Sequence, residues 1–107
     1  MNLQKHRQIR SKKITDAANG ESCTWPGCGL CDGTVVAVHS NLSGDGKGIS
    51  KKGDDLFIAF LCITHHDIYD GRMRSGISAT DKQEYFHEAM KKTQRRIWER
   101  GIIGILK

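Results

Sequence analysis

"FLCITHHDIYDGR", residues 60–72, sets one cysteine, two adjacent histidines and two aspartates within nine positions. The whole chain has four cysteines and five histidines in 107 residues, so the crowding points to metal chemistry. Thiolate and imidazole are the ligands that zinc prefers. The apolar run "LFIAFLC", residues 56–62, reads as a buried strand. After it, "THHDIYDG" can start a helix, with Thr64 as its cap and Gly71 as its stop. Four-residue spacing then puts His66 and Asp70 on one helical face. Neighbouring residues on a helix point about 100° apart, so His65 and His66 face different ways. Cys62 and His65 can therefore close on one ion while His66 and Asp70 serve another.

Working back from this stretch, "TVVAVHS", residues 34–40, is β-branched and reads as a strand ending at His39. The two strands are expected to pair as an antiparallel hairpin around residues 41–55, a long loop rich in Gly, Ser and Lys. Upstream, "CTWPGCGLCDG" carries Cys23, Cys28 and Cys31 on a turn-rich loop. By spacing, Cys28-x2-Cys31 makes the tightest pair to join Cys62 and His65, while Cys23 with Cys31 spans a longer loop. "ITDAANG", residues 14–20, suggests a short helix that stops at Asn19-Gly20. Forward, residues 80–101 form the clearest helix, with Thr80 and Gln83 as a capping box. Tyr85, Phe86, Ala89, Met90, Ile97 and Trp98 recur at helical intervals and are expected in the core. The tail "IIGILK" is expected to pack on the domain, with an interface as the alternative.

The length suits one small domain, and 37% hydrophobic residues with seven aromatics make a marginal core. Small cores of this kind are often closed by a metal or by disulfides. No stretch approaches the ~20 apolar residues that span a bilayer. The basic N-terminus has no apolar segment of the signal-peptide kind, which points to the cytoplasm and to reduced, metal-binding thiols. The net charge of +5 is uneven. Residues 1–13 carry five Lys/Arg and no acid, residues 14–80 five against eight acids, and residues 81–107 seven against four. The basic ends fit a nucleic-acid partner or simply a solvated surface. Residues 1–13 read as a flexible basic arm and residues 14–107 as a single domain.

Taken together, Cys23-x7-Cys31, "VAVHSNL", "KKGDDLFIAFLC" and "THHDIYDGR" resemble the small lambdoid-prophage nuclease family typified by YbcO, within the HNH or ββα-metal nucleases. The resemblance runs from about Ala17 to the end of the long helix. It implies an α+β fold: a zinc-stapled ββα core of hairpin and short helix, with a long C-terminal helix packed on it. It implies a structural Zn²⁺ on Cys23, Cys31, Cys62 and His65, with Cys28 spare. It implies His39 as general base, and His66 with Asp70 as holders of a catalytic Mg²⁺ or Mn²⁺. Lys52 and Asp55 also match family positions. The implied activity is endonucleolytic cleavage of DNA, branched or single-stranded substrates included, in a phage or prophage setting within a bacterial host. Lys51, Lys52, Lys91, Lys92, Arg95 and Arg96 would hold its backbone. The chain departs from many HNH enzymes in having Val38 before the base and an apolar run, residues 57–61, before Cys62. A non-catalytic zinc module binding nucleic acid or protein is the competing reading.

Overall fold

The computed structural model describes residues 9–29, 34–42 and 53–104. Five elements follow in order: α1 (Lys12–Asp16), β1 (Val35–His39), β2 (Ile58–Cys62), α2 (Ile63–Tyr69) and α3 (Ala79–Glu99). The two strands pair antiparallel, from Val35 opposite Cys62 to His39 opposite Ile58. This is the expected hairpin, and with α2 and α3 it gives the expected α+β architecture.

Every residue of β2 is buried. Its side chains alternate between two clusters, which explains why its sequence is continuously apolar rather than alternating. Ala59 and Leu61 join Trp25, Val38, Tyr69, Phe86, Ala89 and Met90 on one face. Ile58, Phe60 and Cys62 join Ile14, Ala18, Val35 and Ile97 on the other. Long α3 therefore serves both clusters. Ile102 and Ile103 of the tail pack against the second, as the tail was expected to do.

The free edge of β2 is closed by Thr24 and Thr93. Phe60 N–H donates to Thr93 Oγ1 at 3.0 Å, and Phe60 C=O accepts from Thr24 N–H at 2.7 Å and Thr24 Oγ1 at 3.0 Å. The two threonine hydroxyls lie 3.1 Å apart. Buried strand-edge groups need such partners.

Three local expectations are corrected. Cys62, not Thr64, is the N-cap of α2, and its side chain makes no capping hydrogen bond. Ser78, not Thr80, caps α3, accepting from Asp81 N–H at 3.1 Å. Trp98 is 49% exposed, because the buried stripe Phe86, Met90, Thr93, Ile97 leaves it about 100° off the core direction. Gly71 does stop α2, at φ +79°, where a side chain would be strained.

Residues 1–8 of the expected arm lie outside the described residues, and residues 9–13 are tied to the domain. Residues 9–11 bond to residues 53–55: Ile9 N–H to Asp54 Oδ1 at 3.1 Å, Asp55 N–H to Ile9 C=O at 2.8 Å, and Ser11 N–H to Asp55 Oδ2 at 2.5 Å. Lys12 and Lys13 already belong to α1, which Ser11 caps.

Candidate functional site

β2 runs directly into α2, so Cys62 and His65 stand one helical turn apart at one end of the hairpin. The loop before β1 brings Cys23 and Cys28 to the same end. The ligand atoms of Cys23, Cys28, Cys62 and His65 all lie within 4.8 Å of one another. His65 Nδ1 is 3.2 Å from Cys62 Sγ and 3.7 Å from Cys23 Sγ, and Cys28 Sγ is 4.0 Å from Cys62 Sγ. Zinc at its usual bond lengths spaces tetrahedral sulfurs about 3.8 Å apart, and sulfur and nitrogen about 3.5 Å apart. The donor set and its spacing fit zinc, and the group could hold a structural metal ion of that kind.

The electrostatics of the group agree. Burial pushes the Cys23 thiol up to about 12, against backbone N–H groups near Cys62 and Trp25 that favour the thiolate. Burial likewise raises the Cys62 thiol. Buried thiolates need a cation, and a bound metal supplies one. Burial lowers His65 from its ordinary 6.5, which favours the neutral, ligating imidazole. Its ring stacks on buried Trp25, with centroids 5.3 Å apart and planes 14° apart.

Cys28, which the family resemblance leaves spare, stands inside this group. Cys31, which the resemblance makes a ligand, lies outside the described residues. The signal for Cys28 was present in the spacing of Cys28-x2-Cys31.

A second cluster forms at the other end of the hairpin. The helix α2 folds back across the strands, and His39, Ser40, Asn41, Gly53, His66 and Asp70 line one cleft of about 370 Å³. His66 Nε2 lies 2.9 Å from Asp70 Oδ2, the four-residue pair read from the sequence. Both side chains are partly exposed to the cleft. His65 and His66 therefore serve different places, one the thiol group and one the cleft. Arg72 lies 3.6 Å from the same Asp70 oxygen and 3.7 Å from Asp67. The rim is fastened by Tyr69, whose hydroxyl accepts from Asn41 N–H at 3.1 Å. Gln83 Nε2 donates to Asn41 Oδ1 at 2.7 Å.

His39 has a partner whose role the sequence did not disclose. Its Nε2 lies 2.7 Å from Asp55 Oδ1. Asp55 is 5% exposed and also takes the Ser11 N–H and, at 3.4 Å, Arg10. Burial alone would raise its carboxyl. The His39 hydrogen bond and the Ser11 N–H outweigh burial, and the group ends below its ordinary 3.8. An ionised carboxylate only accepts, so His39 donates from Nε2, and the neutral ring with this tautomer carries its lone pair on Nδ1. Asp55 lies 16 residues from His39, a separation with no local period to betray the contact.

On α3, Lys91, Lys92, Arg95 and Arg96 line one basic groove of about 450 Å³. Arg96 is held by Ser22 C=O at 2.8 Å and Glu21 at 3.4 Å. Lys51 and Lys52 lie outside the described residues. No described helix is long and apolar enough to cross a membrane.

No curated protein matches the chain. Among solved structures, the chain is similar to one described as "Structure of a putative bacteriophage protein from Escherichia coli str. K-12 substr. MG1655", at 29% identity and a TM-score of 0.62. The match covers 81% of this chain and 98% of that one. The family model "Putative nuclease YbcO" matches residues 12–102, and the chain belongs to that family.

Proposed function

We propose that this chain is a metal-dependent endonuclease of the HNH type, hydrolysing DNA phosphodiester bonds with weak sequence preference. Membership of a nuclease family and a bacteriophage protein as structural neighbour support the reading, and a phage setting in bacterial cytoplasm with it. The observation that carries it is one cleft lined by His39, His66 and Asp70, with His39 held by buried Asp55.

His39 acts as general base. Asp55 fixes the tautomer and leaves Nδ1 to take a proton from water. The water oxygen bonds to phosphorus, the bond to the leaving oxygen breaks, and the proton rests on His39 as an imidazolium that Asp55 stabilises. His66 and Asp70 would hold Mg²⁺ or Mn²⁺, which when bound neutralises charge at the phosphate. A site with two protein ligands leaves room for water and phosphate oxygens, as these hard cations require. Cys23, Cys62 and His65, with Cys28 beside them, would hold a structural zinc; Cys31 is the alternative fourth ligand. Lys91, Lys92 and Arg95 contact phosphates, which carry little sequence information.

The test is plasmid nicking with Mg²⁺ or Mn²⁺. His39→Ala and His66→Ala are each expected to lose at least 100-fold in rate, the order of a lost acid–base group. Unchanged nicking by either variant refutes its role. The contact of Arg72 with Asp70 favours one competing reading, a zinc module whose cleft takes no second ion. Calorimetric titration with Mn²⁺ separates the two, since only the nuclease reading expects binding lost in Asp70→Ala.

A further inference from the structure

Trp98 is the outlier among the α3 aromatics. Phe86 is buried and Tyr85 packs on Trp25, but Trp98 is 49% exposed. It lies seven residues after Lys91 and three after Arg95, which places it about 20° and about 60° from them around the helix. Lys91 and Arg95 form one wall of the basic groove, and Trp98 stands outside that groove on the same side of the helix as these two cations. Arg95 spends its Nε on Glu99 at 2.9 Å, which leaves its terminal N–H groups for other acceptors. The cationic run ends at Glu88 and Glu84, which line the adjoining groove nearer Leu42.

A flat aromatic face beside cations has a definite chemistry. Phosphates pair with the cations and a base stacks on the ring. A duplex offers phosphates, but its bases are already stacked on one another. A second protein would meet an exposed indole rimmed by positive charge.

We propose that the C-terminal half of α3 binds an unpaired nucleic-acid strand, with Lys91, Lys92 and Arg95 on its phosphates and Trp98 stacked on a base. This rests on the nuclease reading and specifies its substrate. Gln83, at the cleft rim, lies 15 residues before Trp98, about 22 Å along the helix.

The full-length His39→Ala protein is titrated with a 15-nucleotide oligo-dT, and with a duplex of equal length, without added Mg²⁺ or Mn²⁺. Affinities of the parent and the variants are read from the anisotropy of a fluorescein label on the nucleic acid, and indole fluorescence is followed in parallel in the parent. The chain has two tryptophans, and Trp25 is buried against His65, so quenching by the strand reports Trp98. The expected result is quenching by oligo-dT, tighter binding of the strand than of the duplex, and a loss of roughly 5- to 100-fold in affinity for Trp98→Leu. Trp98→Phe should restore part of it. Equal affinity of Trp98→Leu, or preference for the duplex, overturns the proposal. So does a Trp98-dependent dimer seen by sedimentation, which would make the indole a protein interface. Binding is read here without cleavage, so its failure is distinct from failure of the nicking test.

Discussion

Stripping the metal from the Cys23, Cys28, Cys62 and His65 group should unfold this protein. The ligands come from two separate segments, residues 23–28 and 62–65, and Cys23 and His65 lie 42 residues apart in the chain. Treated only as a cross-link, closing a loop of that length is worth about 4 kcal/mol. Metal–ligand bonding adds to this, and structural zinc in small modules contributes roughly 10–16 kcal/mol in total. A domain of this size has a net stability of about 5–15 kcal/mol, so the loss is comparable to the whole. Once the metal is stripped, the thiols of Cys23, Cys28 and Cys62 and the His65 imidazole would face one another with no cation to neutralise a thiolate. The assay is dialysis against a chelator, with metal content measured in parallel. Far-ultraviolet circular dichroism then reads the fold, and Trp25, stacked on His65, gives a local fluorescence signal. Collapse of both in step with metal loss is expected, with recovery on adding Zn²⁺. Native spectra and an unchanged urea midpoint at zero metal content would refute the reasoning. Cys28→Ser should weaken metal retention strongly; release by Cys31→Ser instead would make Cys31 the fourth ligand.

Other outcomes follow from single contacts. Thr93→Val removes the acceptor of the buried Phe60 N–H and should cost about 1–3 kcal/mol in urea unfolding; a cost below about 0.5 kcal/mol would mean that water or Thr24 replaces it. Asp55→Asn should slow nicking by at least about 10–100-fold while leaving the fold intact, because the carboxylate sets the His39 tautomer. An unchanged rate and pH profile would reduce Asp55 to a structural role. The folded Asp55 carboxyl titrates below 3.8, so its stabilisation is present above that pH and fades as pH falls through the folded value. The stability gap between the parent protein and Asp55→Asn should therefore narrow between pH 5 and pH 3, and a constant gap would contradict the assignment.

Much of the architecture was legible because it is local. The β-branched run ending at His39, the apolar run ending at Cys62, and the periodicity of α3 are short-range patterns set by strand and helix geometry. So was the pairing of His66 with Asp70, since a four-residue spacing on a helix leaves little freedom. Helix caps were less legible: Ser78 and Thr80 are both good capping residues, and only the entering backbone decides which accepts. Trp98 was misplaced because a one-residue shift at the end of a long helix turns a side chain by about 100°.

The amino-acid order by itself determined the hairpin, the two helices after it, the Cys-x2-His turn and the divergence of His65 from His66. Each follows from backbone periodicity over a few residues. Tertiary structure alone decided that Cys28 joins Cys23, that Asp55 reaches His39, that Thr93 closes the edge of β2, and that Trp98 faces outward. Those outcomes depend on how distant segments pack, where the burial of many side chains outweighs any local preference.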